Sequence, residues 1–370
     1  MRKAVFLIIS LTCFGILVLS MDQSFINQLK QNRYFDHLYP TSAERKTVYQ
    51  KIFLRSDKWR YGDLYGISFL PAFKLKLEPF KRYTRSGPRV LTNNVLYIVG
   101  DSFLADKTLS GAFAGFDTVI FLDRRFPIAP IKLDSSKQNY LVMEFVEMNL
   151  VGYSPYITGE RNLFLKYSKT GVNNDSLNAN SPSAQSDHRS FLTRINDILF
   201  NKDLNRNIQL LLFDDKIFTP FKEAKAYLNY NLLGRLPTEV AISTDRKRLL
   251  INSTVDTINK TSVFRTISES SVDSINNSLT NTAEYYRSLG FKKVFLSVIP
   301  NAVTIYDPRR MRYNRLLQRV ELKTFLPLIS VYNEFAANKN NLYYQSDVHW
   351  NPAGLDLWVI QARAVFSNLR

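Results

Sequence analysis

The sequence predicts an α/β fold with a mostly parallel sheet, and three observations predict it. Four apolar runs, 95–99, 118–122, 140–146 and 294–299, have the length and near-unbroken hydrophobicity of strands buried on both faces. Segments with helical or turn character alternate with them, which is the strand–helix–strand order of parallel sheets. The chain of 370 residues is 45% apolar and 13% aromatic, enough to fill a core and to exclude a disordered polymer.

The elements follow in order. Arg2 and Lys3 precede an uncharged, mostly apolar run from Ala4 to Leu19, and Asp22 ends it. Residues 1–20 are therefore expected to be a signal peptide or membrane anchor, with Val18 and Ser20 tolerable at a cleavage site. The protein is expected to be exported, periplasmic or otherwise extracytoplasmic, or held on the inner membrane by this segment. Cys13 lies inside it, behind Leu11 and Thr12, which make a poor lipidation signal. Residues 21–89, rich in Tyr, Phe and Trp, are read as an N-terminal capping region.

The core is expected over 90–150 and 265–370. Its first part holds a strand over Val95–Val99, the tripeptide Gly100-Asp101-Ser102, a helix over 103–114, and strands over 118–122 and 140–146. Residues 151–264 are read as an inserted α+β segment. It holds an Asn/Ser-rich loop (167–188), helices over 190–201 and 221–231, and a hairpin over 241–254. The core then resumes with a polar helix over 266–288 stopped by Gly290, a strand over 294–299 ended by Pro300, and helices over 313–323 and 326–337. A short last strand, Leu342–Tyr344, and an amphipathic helix from Ala353 to Asn368 complete it.

Composition excludes several chemistries. Three histidines and one cysteine leave no zinc cluster at ligand spacing and no disulfide framework, so no metal and no cofactor is expected. The formal charge is +17, from 49 Lys+Arg against 32 Asp+Glu. Nucleic acid is not the expected partner, because the segment 1–20 points to export and the basic residues are scattered. The densest clusters, Arg246-Lys247-Arg248 and Arg309-Arg310-Met311-Arg312, suit a solvated face or an anionic polysaccharide or membrane surface.

Two segments can carry chemistry. Gly100-Asp101-Ser102-Phe103 directly follows a buried strand, where ligands sit in open α/β sheets. A serine there is exposed, and a helix starting behind it offers backbone N–H groups to an oxyanion; alternatively Asp101 or Ser102 only caps that helix. The second is Ser346-Asp347-Val348-His349-Trp350-Asn351-Pro352-Ala353-Gly354, before the last helix. A serine hydroxyl needs a base, and the base an orienting carboxylate. Asp347 and His349 are two apart, so a turned loop can bring them together. Either segment alone reads as a cap or a structural histidine; together, each after a strand, they point to nucleophilic catalysis.

The pair G-D-S-F and D-x-H-W-N-P-x-G resembles the SGNH/GDSL hydrolase superfamily. The Asp-x-His-Trp form is similar to its alginate O-acetyltransferase-like branch of bacterial polysaccharide acetylation proteins. The resemblance covers about 90–150 and 265–370. It implies a three-layer α/β/α sandwich with Ser102 as nucleophile, His349 as base and Asp347 as orienting acid. It further implies an O-acetyltransferase acting on a cell-surface or extracellular polysaccharide, its acetyl donor supplied by a membrane acyltransferase. A carbohydrate O-acetyl esterase and a catalytically silent glycan-binding or assembly protein on the same fold are the alternatives.

The sequence also departs from the pattern. The alginate enzymes carry Asp-x-His before the serine; here it follows, as in ordinary esterases. Those esterases space the pair as Asp-x-x-His, and Ser346 stands at that third position. After the second strand comes Asp123-Arg124-Arg125 in place of the family's glycine, so Arg124 and Arg125 are candidates to bind the oxyanion or an anionic sugar. Asn149 is the best match to the oxyanion-hole asparagine, its alternative being a turn residue, and Asn301 is a weaker candidate for the same role. Trp350 and Trp358 are candidate sugar platforms or core residues. Asp187-His188 lies in the Asn/Ser-rich loop and reads as solvated, and His37 after Asp36 has no serine context.

Overall fold

A computed structural model describes residues 2–22, most of 64–165, a few of 204–212, and 216–338 and 341–367. The Asn/Ser-rich stretch, the expected helix 190–201, His37, His188 and Arg125 lie outside the described residues.

The chain divides into two compact units. The first holds Met1–Arg60, Phe69–Pro71 and Asn174–Arg235; the second holds Tyr61–Ser68, Ala72–Asn173 and Leu236–Arg370. The expected insertion 151–264 therefore does not stay together. Its middle belongs to the first unit, and its flanks, hairpin included, belong to the second.

In the first unit, Arg2–Met21 is an apolar helix of 20 residues. At 1.5 Å per residue it measures about 30 Å, the thickness of a bilayer's hydrocarbon core. Its composition and length suit a signal sequence or an anchor equally. It is longer than the sixteen-residue apolar run, because a helix carries the flanking polar residues along.

The second unit is α/β. Four parallel strands, β1 (Asn94–Gly100), β2 (Thr118–Asp123), β4 (Gln138–Val146) and β8 (Phe291–Ile299), form a sheet in the order β2-β1-β4-β8. The register pairs Ile98 with Phe121 on one side and Val142 on the other. Beyond β8, Leu328 bridges Leu296 in parallel, so 327–329 lies along the sheet edge. Here the expected helix 326–337 is shortened to Tyr332–Ala337. Two small sheets accompany the main one: β3 (Ile131–Lys132) with β5 (Phe164–Leu165), and the antiparallel hairpin β6 (Val240–Ile242) with β7 (Leu249–Ile251).

Side chains alternate across the strands and enter two separate cores. Val95, Tyr97, Val99, Leu141, Met143, Val294 and Leu296 pack with the helix Glu269–Leu289. That helix buries Val272, Ile275, Leu279, Ala283 and Tyr286, a three-to-four spacing that lines one face. Ser268 caps its start by accepting Ser271 N–H, and Gly290 ends it at φ 116°. Leu96, Ile98, Val142, Phe295 and Ile299 point the other way and pack with the helix Pro352–Ser367 through Trp358, Val359 and Phe366.

The structure corrects two expected elements that flank the site. Residues 103–114 form turns, not a helix. Their backbone groups are engaged elsewhere: Phe103 O accepts the Trp350 indole N–H, Thr108 O accepts Tyr83 N–H, and Gly111 N–H donates to Tyr83 O. What remains are single turns, such as Ala105 N–H to Asp101 O and Ala112 N–H to Leu109 O, rather than a continuous ladder. Leu342–Tyr344 is not a strand of the sheet. Tyr343 bridges Trp350 in antiparallel fashion, with Tyr344 N–H bonded to His349 O and Asn351 N–H to Leu342 O. The segment folds on itself as a loop whose tip carries 345–349.

Candidate active site

Every strand of the main sheet delivers a candidate residue at its carboxyl end. Ser102 follows β1, Arg124 follows β2, Asn149 follows β4 and Asn301 follows β8. Open α/β sheets bind ligands at this edge, because the turns leaving the strands diverge there.

The β1 turn is built around a carboxylate beneath it. Asp101 N–H donates to Glu144 Oε2 at 2.8 Å, while Asp101 Oδ1 accepts Phe103 N–H at 3.2 Å. Asp101 thus closes an Asx turn that presents Ser102, partly exposed, between two buried neighbours. Capping by Asp101 survives as a local turn, although the helix behind it does not. Gly100 gives the carboxylate its room: a Cβ would collide with Glu144 Oε2 and lie 3.1 Å from Phe121. Glu144 is 0% exposed and its Oε1 has no hydrogen-bond partner. Burial, then the charge of Asp101, pushes its carboxyl well above the usual range. It was a visible anomaly, the one charged residue in the apolar run 140–146.

The second motif forms the loop tip. Asp347 is 3% and His349 17% exposed at the side chain, and His349 Nδ1 lies 2.5 Å from Asp347 Oδ1. Asp347 Oδ1 also accepts His349 N–H at 2.9 Å, which fixes the turn between them. The rest of the motif holds this tip. Asn351 Oδ1 accepts Gly354 N–H at 3.2 Å and Pro352 begins the helix, so Asn351 caps it. Gly354 leaves room for the returning chain: a Cβ would sit 2.5 Å from Leu342 O and 2.6 Å from Trp350 Cβ.

Phe103 brings the two motifs together. Its ring lies 4.9 Å from that of His349 and 5.3 Å from that of Trp350, and its carbonyl accepts Trp350 Nε1–H at 3.0 Å. Ser102 and His349 therefore flank one aromatic contact. No hydrogen bond joins Ser102 to His349 in this structure, and catalytic bonds of this kind commonly tighten only with substrate.

The other sequence candidates separate. Asn149 lies at the turn, its Nδ2 3.3 Å from Asp101 Oδ2. Arg124 is engaged with the sheet end, where Nη2 donates to Val99 O at 3.1 Å and the guanidinium lies 3.8 Å from the Phe145 ring. Its charge also opposes the upward shift of Glu144. Trp350 is corrected as a sugar platform: it is 0% exposed, part of the core, and its N–H is committed to Phe103. Trp358 is equally buried and donates to Ser297 Oγ at 2.9 Å.

Sequence reasoning missed the cavity beside the loop. It is small, with room for about one water molecule, and Phe103, Val146, Met148, Leu250, Asn301 and Val348 are among its walls. The hairpin β6–β7 forms part of the lining and is pinned to the Asp347-His349 loop. Leu249 N–H donates to Gln345 O at 2.7 Å, and buried Arg248 donates to Tyr344 O at 3.3 Å while its guanidinium lies 3.5 Å from the Tyr306 ring. Arg248 is thus structural. The hairpin turn is tied to 307–310 as well: Thr244 N–H donates to Asp307 Oδ2 at 3.0 Å, and Arg310 Nη1 to Ile242 O at 2.7 Å. The two densest basic clusters of the sequence thereby join one surface, with Arg246, Lys247, Arg309 and Arg312 exposed.

Comparison with protein-family models, with curated protein sequences and with solved structures gives no match to this chain.

Proposed function

We propose that this protein is an exported, membrane-anchored serine acyl-transfer enzyme of SGNH type, with the α/β unit arranged as a three-layer α/β/α sandwich. Its reaction is O-acetylation of a cell-surface polysaccharide. The observation that carries the reading is the Asp347–His349 contact of 2.5 Å, set against Phe103 next to Ser102. Two segments distant in the sequence, one with the candidate nucleophile and one with the candidate base and orienting acid, pack through Phe103 beside the carboxyl edge of a parallel sheet, which supports the reading.

The chemistry follows from the roles. His349 Nε2 takes the proton of Ser102 Oγ as that oxygen bonds to the acetyl carbonyl carbon. Collapse of the tetrahedral intermediate breaks the ester C–O bond, and the leaving alkoxide receives the proton from His349. The acetyl-serine is then attacked by a sugar hydroxyl, whose proton passes to His349 and on to Ser102 Oγ as the acyl bond breaks. Asp347 holds the imidazole and balances its transient charge. A membrane acyltransferase would supply the acetyl donor. The exposed cations Arg246, Lys247, Arg309 and Arg312 beside the site support an anionic glycan as acceptor. For the anchor, Ser20 is buried and its carbonyl accepts Asn207 Nδ2–H at 3.0 Å within the first unit, which supports retention of the segment.

A second reading, an O-acetyl esterase with water as acceptor, is favoured by the order of the motifs, serine before Asp-x-His. The test uses the full chain in mild detergent with p-nitrophenyl acetate, with and without uronic-acid oligosaccharides. Wild type should release p-nitrophenol at least about 10³-fold faster than Ser102→Ala. Acetylated oligosaccharide among the products decides for transfer, and acetate alone for hydrolysis. Equal slow release by both proteins, with glycan retained by each, leaves the silent glycan-binding alternative.

A further inference from the structure

We propose that residues 217–233 form an interfacial helix: it lies along the surface of the bilayer that Arg2–Met21 enters and buries Phe221, Leu228 and Leu232 among the lipid headgroups. This goes beyond the acyl-transfer reading and shares with it only the membrane anchor.

The apolar stripe is the first argument. A tight turn, Lys216–Phe218, leads into the helix Thr219–Tyr227, which continues as one wider turn over Leu228–Leu232, and Gly234 at φ 58° follows. Ile217, Phe221, Leu228 and Leu232 are spaced four, seven and four apart, so they line one face. All four are exposed; Phe221 is 71% and Leu232 65% exposed. The side turned to the protein carries other residues. Ala226 is buried, and Lys222 Nζ lies 5.3 Å from the centre of the Phe69 ring. A helix on a water-facing surface turns its apolar stripe inward. This one turns the stripe outward and keeps small and polar residues against its own unit, which suits an apolar outer solvent. Single exposed hydrophobics are ordinary, but a continuous stripe marks a contact surface.

Placement is the second argument, and it names the lipid surface as the occupant. This helix and Arg2–Met21 belong to one compact unit. Ser20 stands at the end of the apolar run, where a spanning helix leaves the hydrocarbon, and its carbonyl accepts Asn207 Nδ2–H at 3.0 Å. Ser20 and Asn207 are both buried. Ile217 follows Asn207 by ten residues, so at most about 35 Å of chain separates it from the level of the membrane surface. Charge is the third argument. Lys225 is exposed within the stripe, one turn after Phe221, where its stem can lie on the apolar surface while the ammonium meets lipid phosphate. Arg235, also exposed, follows the helix. The one carboxylate between 217 and 235, Glu223, is placed off the stripe and is partly buried. A cationic outer face with Phe and Leu between the cations is what an anionic leaflet attracts.

The test uses the full chain in vesicles of phosphatidylcholine and phosphatidylglycerol, carrying one nitroxide label at a time. Wild type is labelled at Cys13, which is exposed within Arg2–Met21. Leu228→Cys, Leu232→Cys and Asn281→Cys, each combined with Cys13→Ser, are labelled at the substituted position. Asn281, exposed on the helix Glu269–Leu289 of the other unit, serves as the reference in water. Labels at 228 and 232 should be relaxed by oxygen several-fold more than by a water-soluble nickel chelate, at a depth of about 5–10 Å. The label at 281 should show the reverse. Adding Phe221→Ser and Lys225→Glu, both at exposed positions, should return position 232 to the nickel chelate. Nickel access at 228 and 232, with Cys13 in lipid, overturns the interfacial helix and leaves the anchor standing. Lipid contact at 228 and 232, with Cys13 in water, supports the helix and overturns the anchor. Water access at all three overturns both. Broadening between labels at 232 in place of lipid contact marks a second copy on the stripe and overturns the proposal. Turnover of p-nitrophenyl acetate enters none of these readouts, so the acyl-transfer reading stands or falls separately.

Discussion

Replacing Gly100 by alanine puts a methyl group where Glu144 Oε2 already lies, with the Phe121 ring 3.1 Å away on another side. The carboxylate must move, and in moving it releases Asp101 N–H, the bond of 2.8 Å that seats the Ser102 turn. Overpacking costs about 1–3 kcal/mol and a buried donor left unpaired a further ~1–3 kcal/mol, so Gly100→Ala should cost about 3 kcal/mol. Glu144→Ala loses the same bond and leaves a small void, again about 3 kcal/mol. The two costs share a cause. In the double variant the methyl enters the space the carboxylate vacated and the bond is lost once, so it should be no less stable than Glu144→Ala alone. The expected coupling is about 2–3 kcal/mol. Thermal unfolding followed by tryptophan fluorescence reads this unit well, because Trp350 and Trp358 are both 0% exposed within it. At about 2–4 °C per kcal/mol, each single variant should melt roughly 6–12 °C below wild type. The double variant should match Glu144→Ala. A double variant that melts at the sum of the two shifts would refute the account of Gly100 and of the turn it supports.

Three further outcomes follow from the same structure. Burial, then the charges of Glu147 and Glu334, raises the Glu321 carboxyl from 4.5 to about 7 against a bond from Ser330. A raised carboxyl contributes stability fully present below its unfolded value and lost as pH rises through its folded value. Wild type should therefore lose up to about 3 kcal/mol between pH 4.5 and about 7, and Glu321→Gln should flatten that decline in urea titrations. Trp350→Phe removes the N–H bonded to Phe103 O, so it should cost about 1–3 kcal/mol and lower kcat for p-nitrophenyl acetate by about tenfold or more. Trp358→Phe, losing its bond to Ser297 away from the motifs, should cost similar stability and leave kcat within about twofold of wild type. Gly354→Ala, facing backbone at 2.5 Å, should destabilise by at least about 2 kcal/mol and move the Asp347–His349 tip, seen as lost activity before lost fold.

The sequence by itself determined the parts whose physics is local. A strand buried on both faces must be apolar throughout, so β1, β2, β4 and β8 could be read as runs, and their order made the sheet parallel. The helix Glu269–Leu289 was legible as a long polar stretch with a closing glycine, the hairpin β6–β7 from two short runs around a polar turn, and Asp347 and His349 from their spacing of two. Tertiary structure decided what depends on partners distant in the chain. Residues 103–114 carry helical character, yet Phe103, Thr108 and Gly111 give backbone bonds to Trp350 and Tyr83, and single turns stand where a helix was expected. Leu342–Tyr344 looks like a strand, yet it pairs with its own return limb at Trp350. Trp350, readable as a platform for sugar, is the core residue that ties the two motifs together. Asn301 and Gly354 were legible only as a residue after a strand and as the end of a motif; the unpaired amide of the one and the close approach of Leu342 O to the other come from partners elsewhere in the fold. Local pattern thus located the two motifs, and only the packing of Phe103 against His349 placed them at one site.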